Sequence, residues 1–209
     1  MRKAIDRLTP LGVVVLALLR EGPMHPYEML RLLRQRHKDR VVAIANGTFY
    51  HTVVRLEGVG LLSEVGVDRD GNRPERTTYA LTDEGYEIVG EWVRRELPRV
   101  DRPAEFRVAL AEAHNLPRDE VVALLAVRRG LLTTDLAAQR AALARTQAKG
   151  IPAQFVIDTE REEIILAAEV AWVDALISRL ASREIPWGWS ELAPATMDAL
   201  RAHREALTT

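Results

Sequence analysis

Residues 47–62 read GTFYHTVVRLEGVGLL, and this stretch decides the fold of the first half of the chain. Its apolar residues Phe49, Val53 and Leu56 recur at positions i, i+4 and i+7. That spacing predicts an amphipathic helix with one face in a core. Asn46 precedes the helix as a good N-cap, and the glycines near the end of the stretch predict where the helix stops.

The elements around this helix have the order of a winged helix-turn-helix. Thr9-Pro10 and His25-Pro26 are typical helix starts, because proline is tolerated at the first helical position. Thr82, followed by two acidic residues, predicts the N-cap of a fourth helix. Between the third and fourth helices the pattern is β-compatible and predicts a hairpin. The predicted helices span residues 10–21, 26–37, 46–58 and 83–97, and the predicted strands span residues 61–67 and 76–81.

The third helix is predicted to present hydrogen-bonding side chains on positions that its core residues leave open. Such side chains can reach base edges or phosphates when a helix lies in the major groove of DNA. A solvated helix face is the alternative. The candidate DNA-binding residues of this helix are Thr48, Tyr50, His51, Thr52 and Arg55.

The predicted hairpin is rich in arginine around its loop. These side chains suit a wing that follows the phosphate backbone of DNA or enters the minor groove. A solvent-exposed turn with no binding role is the alternative, because Asp68, Asp70 and Glu75 reduce the net positive charge of the hairpin. The candidate DNA-binding residues of the hairpin are Arg69, Asn72, Arg73 and Arg76.

Residues 47–62 resemble the PadR family of transcriptional regulators, whose typical pattern is G-x-L-Y-x-x-L-x-R-L-E-x-x-G-L-I. The opening stretch LTPLGVVVLALL, the His25-Pro26-Tyr27-Glu28 stretch and the wing strands also fit, so the resemblance covers roughly residues 8–97. His51 stands where the family commonly has proline. The matching positions are Gly47, Phe49, Tyr50, Val53, Arg55, Leu56, Glu57, Gly60, Leu61 and Leu62.

This resemblance implies a DNA-binding transcriptional regulator, expected to be a homodimeric repressor that recognises a pseudo-palindromic operator. Within the pattern, Tyr50 is the expected phosphate contact, since its hydroxyl is a usable donor. Arg55 either contacts DNA or forms an ion pair with Glu57. Tyr27 either touches the DNA backbone or packs in the core, with the core favoured.

Beyond Pro103 the chain is predicted to be almost wholly helical, and it looks like the longer PadR subfamily with a virulence-activator-like C-terminal domain. We therefore expect a winged helix-turn-helix domain over residues 1–98 and a helical dimerisation domain over residues 99–209. The predicted helices of the second domain span residues 104–115, 118–149, 159–183 and 194–207.

The helix predicted over residues 118–149 has an interrupted heptad pattern, and the helix predicted over residues 159–183 has a broad apolar stripe. Both patterns favour burial against a second chain, as the resemblance also implies. Packing within one chain is the alternative. The candidate dimerisation residues are Leu125, Leu132, Leu136, Leu166, Val170, Trp172, Val173, Ile177 and Leu180.

The charge is unevenly distributed along the 209 residues. The formal net charge is -1, but residues 1–80 contain 13 basic and 9 acidic side chains, so the excess of acid lies in the second half. A positive N-terminal half is consistent with DNA binding, although a net of +4 is modest. A winged-helix module that binds protein and not DNA is therefore the alternative function.

No recognisable catalytic, cofactor or metal motif is present, so the sequence predicts neither an enzyme nor a bound metal. The chain has no cysteine and no apolar run long enough for a membrane span, so a cytoplasmic protein without membrane contact is expected. PadR proteins often respond to small molecules, which implies a small aromatic or hydrophobic effector. Trp187 and Trp189 lie in a predicted loop. We expect them to act as a hydrophobic latch that holds the C-terminal helix, and a lid is the alternative.

Overall fold

The computed structural model describes residues 2–68, 76–199 and 202, with side chains described for residues 5–66, 77–199 and 202. Within these residues the fold is mainly helical with a two-stranded antiparallel sheet, which confirms the predicted fold class. The elements are α1 (Arg2–Arg7), α2 (Pro10–Leu19), α3 (Pro26–Gln35), α4 (Asn46–Gly58), β1 (Leu62–Asp68), β2 (Arg76–Leu81), α5 (Asp83–Glu96), α6 (Pro103–Ala111), α7 (Arg118–Ala148) and α8 (Ile157–Ala181).

Helix α2 lies at the centre of the N-terminal half. The Thr9 hydroxyl accepts a hydrogen bond from the Gly12 amide at 3.2 Å, and Pro10 occupies the first helical position, as predicted. Residues 13–16 are completely buried, because α4, α5 and α6 pack around this helix. A helix that is apolar on every side is typical of such a central position.

The hairpin is held to the helices by an additional backbone pair. Strands β1 and β2 pair from Leu62 opposite Leu81, with an irregularity between Glu64 and Gly66. Met24, just before α3, exchanges two 3.0 Å backbone hydrogen bonds with Tyr79 of β2. The wing is therefore fixed to the start of α3.

A tight junction joins the end of α4, the start of β1 and the start of α5. Gly60 adopts a φ of 78°, a conformation that glycine reaches without strain. The Thr82 hydroxyl donates to the Gly60 carbonyl at 2.8 Å and accepts from the Gly85 amide at 3.1 Å. A Cβ on Gly85 would overlap the Leu61 carbonyl oxygen, so only glycine fits there.

Helices α7 and α8 form a long hairpin and pack along each other. Arg128 of α7 is almost fully buried and connects this hairpin to the linker that follows α5. Its guanidinium donates to the Glu169 carboxylate of α8 and to the Arg99 carbonyl, and it lies 3.5 Å from the centre of the Phe106 ring. One side chain thus ties the linker, α6 and both long helices together.

The chain after α8 folds back onto the first turn of α7. Buried Arg118 donates to the Leu180 and Ile185 carbonyls at 3.0 and 2.9 Å and pairs with Glu191. The Trp187 indole N–H donates to the Leu116 carbonyl at 2.8 Å. The segment is therefore packed down at Trp187, whereas Trp189 remains half exposed.

Some local features differ from the sequence predictions. Helix α1 was not predicted, because six residues are too few to show a period. Ala45, not Asn46, is the N-cap of α4; the Asn46 side chain accepts a hydrogen bond from Arg34 instead. Of the predicted helix 194–207, residues 194–199 are helical and most of the remainder lies outside the described residues.

The junction at Gly85 generates a stability prediction. Gly85→Ala places a methyl group against a backbone carbonyl, so it should lower the free energy of unfolding by about 1–3 kcal/mol in urea denaturation. Gly58→Ala is the matched control, because a Cβ on Gly58 meets no atom within 4 Å. Equal stability of the two variants would contradict the proposed steric constraint.

Candidate nucleic-acid interface

One face of α4 is exposed along the full length of the helix. Phe49, Val53 and Leu56 are buried, which confirms them as core residues. The opposite face is exposed and carries polar side chains next to an apolar one. Its residues are Gly47, Tyr50, His51, Val54 and Gly58.

Thr52 does not lie on this face, although it was predicted there. Only 6% of the residue is exposed, and its hydroxyl donates to the Thr48 carbonyl one turn earlier at 2.7 Å. A threonine can satisfy its hydroxyl in this way inside a helix, so the side chain packs toward the core. Thr48 itself is exposed near the N-terminus of α4.

Arg55 is exposed, but its guanidinium contacts the junction between α1 and α2. It donates to the Thr9 hydroxyl at 3.0 Å and to the Arg7 carbonyl at 3.4 Å. No Arg55–Glu57 ion pair forms among the described residues. Arg55 therefore connects α4 to the end of α1 and the start of α2.

Glu57 instead faces the wing. Burial raises the pKa of the Tyr79 hydroxyl, and the carboxylates of Glu57 and Glu64 raise it further. The Tyr79 hydroxyl of β2 therefore stays protonated in the field of these two carboxylates. Glu57 of α4 thus acts on a side chain of the wing.

Helix α3 adds the exposed residues Tyr27 and Arg34 and the partly buried Arg31 beside the start of α4. Tyr27 is 61% exposed, so it is not the core residue that the sequence favoured. The Nδ1 atom of His25 accepts from the Tyr27 amide and caps this helix. Arg31 and Arg34 follow Tyr27 by one and two turns, so all three side chains lie along one side of α3.

Arg31 and Arg34 were not predicted as interface residues. Arg34 donates to the Asn46 side chain and so places a cation at the N-terminus of α4. By contrast, Arg36 pairs with Glu21 and Lys38 with Glu112, so these cations are used within the chain. Arg31 and Arg34 follow Tyr27 at i+4 and i+7, and this helical spacing could have distinguished them from Arg36 and Lys38.

The wing residues are only partly described. Arg76 begins β2, but its side chain is not among those described. Arg69, Asn72 and Arg73 lie outside the described residues.

Most of the predicted dimerisation residues pack within the chain. Leu125, Leu132, Leu136, Val173 and Leu180 are buried, because α7 and α8 cover each other's stripes. The other predicted positions, Leu166, Val170 and Ile177, are half-buried against the same core. These residues therefore leave less apolar surface for a partner chain than the sequence predicts.

A different set of apolar side chains stays open on the two long helices. Trp172, which was predicted, is 43% exposed. Ile165 lies seven residues earlier and so shares its side of α8. The exposed large apolar residues of α7 and α8 are Val127, Leu131, Ile157, Ile164, Ile165 and Trp172.

A cavity of about 660 Å³ lies between the winged helix and the C-terminal segment. Its floor is apolar, with Val14, Ala17 and Leu18 of α2, and the side chains of Trp189 and Met197 form part of its wall. The Arg36–Glu21 and Lys38–Glu112 pairs stand among its lining residues. The Trp189 side chain thus borders an open volume, and Trp187 holds the segment that carries it.

Among the described residues, no cluster of His, Asp and Glu side chains is suited to hold a metal ion. No described helix is long and apolar enough to cross a membrane.

One family model matches this chain, over its N-terminal half. The transcriptional regulator PadR-like family matches residues 15–91. The curated proteins include no match to this chain.

Similar solved structures cover more of the chain at low identity. The structure of Bacillus subtilis PadR with operator DNA is 17% identical, covers 81% of this chain and 98% of its own, and has a TM-score of 0.39. The structure of the same protein with p-coumaric acid is 16% identical, covers 83% and 99%, and has a TM-score of 0.38. A PadR-like regulator from Bacillus cereus is 17% identical, covers 83% and 99%, and has a TM-score of 0.36.

Proposed function

We propose that the protein is a transcriptional repressor that binds duplex DNA as a homodimer, on the premise that residues 15–91 match the transcriptional regulator PadR-like family. Helix α4 lies in the major groove, and the wing contacts the phosphate backbone or the minor groove. The operator is pseudo-palindromic, because two identical winged helices meet two identical half-sites.

The exposed face of α4 is the observation that carries this proposal. Tyr50 and His51 offer a hydroxyl and an imidazole, which can hydrogen-bond to phosphates or base edges. Gly47 and Gly58 have no side chains, and a Cβ at either position would meet no atom within 4 Å. The backbone of α4 can therefore approach another molecule closely.

Tyr27, Arg31 and Arg34 extend this face toward α3. We assign Tyr27 and Tyr50 to phosphate contacts, since both side chains are exposed and end in a hydroxyl group. Arg55 is exposed and contributes to the positive potential near α4. Arg69, Asn72, Arg73 and Arg76 supply the contacts of the wing.

The second copy is proposed to pack on the exposed apolar residues of α7 and α8. Trp172 and Ile165 form the centre of this surface on α8, and Val127 and Leu131 contribute from α7. Trp172 is the most suitable anchor, because tryptophan buries a large area when it is covered by a partner. The buried apolar residues of α7 and α8 stabilise the helical hairpin that presents these exposed residues.

The cavity between α2 and Trp189 is the proposed effector site. Its volume is in the range of small-molecule sites, and its apolar floor with an aromatic wall suits a small aromatic or hydrophobic molecule. A ligand there contacts the winged helix and the C-terminal segment together. It can therefore change the angle between the two winged helices of a dimer.

The salt dependence of DNA affinity tests the proposed function. The logarithm of the association constant should fall linearly with the logarithm of salt concentration, by about 0.9 for each phosphate neutralised. Arg73→Ala and Arg76→Ala should each flatten this slope by about 1. Arg161→Ala, an exposed position on α8, is the control. Absent or salt-independent binding would favour a winged helix that binds protein instead.

The dimer surface predicts a change of oligomeric state. Trp172→Arg places a charge in the centre of the proposed interface and should give monomers in light scattering at micromolar concentration. Val65→Arg, an exposed substitution on β1, should leave the dimer intact. A monomeric wild-type chain, or a Trp172→Arg dimer, would overturn this assignment.

The effector site predicts binding of a neutral aromatic probe. Calorimetric titration should show that 2-naphthol binds the protein, and Ala17→Phe should lower its affinity at least about tenfold by filling the cavity. Ala137→Phe, at an exposed position of α7, should not. Equal affinities for the two variants would place the probe elsewhere.

A further inference from the structure

Val54 stands out on the exposed face of α4. It is 60% exposed and lies between the hydrogen-bonding residues Tyr50 and His51, one turn earlier, and Gly58, one turn later. A single exposed apolar residue on a protein surface needs no explanation by itself. The position of Val54, in the middle of the face proposed to meet DNA, is what makes it informative.

The chain itself gives no reason for valine at this position. The side chain points away from the core residues Phe49, Val53 and Leu56, so it contributes little to the packing of α4. Valine is also a weaker helix former than alanine, because its branched side chain is restricted at χ1. In the free protein an alanine at this position would stabilise α4 at least as well as valine does.

The chemistry of the major groove supplies a reason. Among the base edges, thymine alone presents an apolar group there, the C5 methyl, whereas the other edges present hydrogen-bond donors and acceptors. A valine isopropyl group can cover that methyl but cannot satisfy a donor or an acceptor. It therefore favours thymine over cytosine at the same place.

The geometry of α4 allows so short a side chain to reach a base. Gly47 lies two turns before Val54 and Gly58 lies one turn after it, so all three share one side of the helix. Both glycines leave open space beside the helix, since a Cβ at either position would meet no atom within 4 Å. The helix backbone can approach the floor of the groove at both ends, and Val54 is the side chain between them.

We propose that Val54 is a specificity-determining residue that packs on the C5 methyl group of one thymine in each operator half-site. This inference rests on the proposed function, since it requires α4 in the major groove. The restricted χ1 of valine holds the isopropyl group in one orientation before binding, so contact costs little side-chain entropy.

The experiment uses the full-length protein and a duplex selected from random DNA. Each thymine of the duplex is replaced in turn by deoxyuridine, which pairs identically but lacks the methyl group. At one position per half-site, this replacement should weaken wild-type binding about fourfold, the effect of one apolar carbon group losing its burial. The same replacement should change the affinity of Val54→Ala by less than about twofold.

Val59→Ala is the matched control, because Val59 is also an exposed valine and lies just beyond the end of α4. This variant should keep the full methyl dependence of the wild type. Equal methyl dependence in Val54→Ala and the wild type would overturn the proposal, as would wild-type affinity independent of every thymine methyl. Failure of the protein to bind any duplex would instead overturn the proposed function on which it rests.

Discussion

The close approach of Gly85 to the Leu61 carbonyl oxygen is the constraint on which the N-terminal half depends. It allows the first turn of α5 to lie directly against the end of α4, and the Thr82 hydroxyl bonds to both sides of the contact. The wing begins at this point. The relation of the exposed α4 face to the wing is therefore set by backbone contacts, which surface substitutions alter little.

Much of this half could be predicted from the sequence, because its signals are local. The Thr9 and Thr82 caps, the first-turn Pro10 and the spacing of Phe49, Val53 and Leu56 each depend on residues within a few positions. Thr52 was assigned wrongly because helical spacing places it beside the exposed face. Its hydroxyl has an acceptor inside the helix, and the side chain is therefore buried.

The second half could be predicted less completely, since an apolar stripe shows that a helix is covered but not what covers it. Leu125, Leu132 and Val173 are covered by the neighbouring helix of the same chain. Buried Arg128 connects α7 to Glu169 of α8, and such long-range pairing has no signal in the sequence. Which apolar residues stay exposed to a partner depends on how α7 and α8 pack on each other, so the sequence alone could not identify them.

Backbone amide hydrogen exchange, measured with and without a duplex selected from random DNA, tests the central claim most directly. If the exposed face of α4 meets DNA, the duplex should slow exchange most at residues 46–58 and at the start of α3, where Tyr27 lies. Exchange within the buried α7–α8 hairpin core should stay unchanged. Protection confined to α7 and α8, with none in α4, would contradict the account.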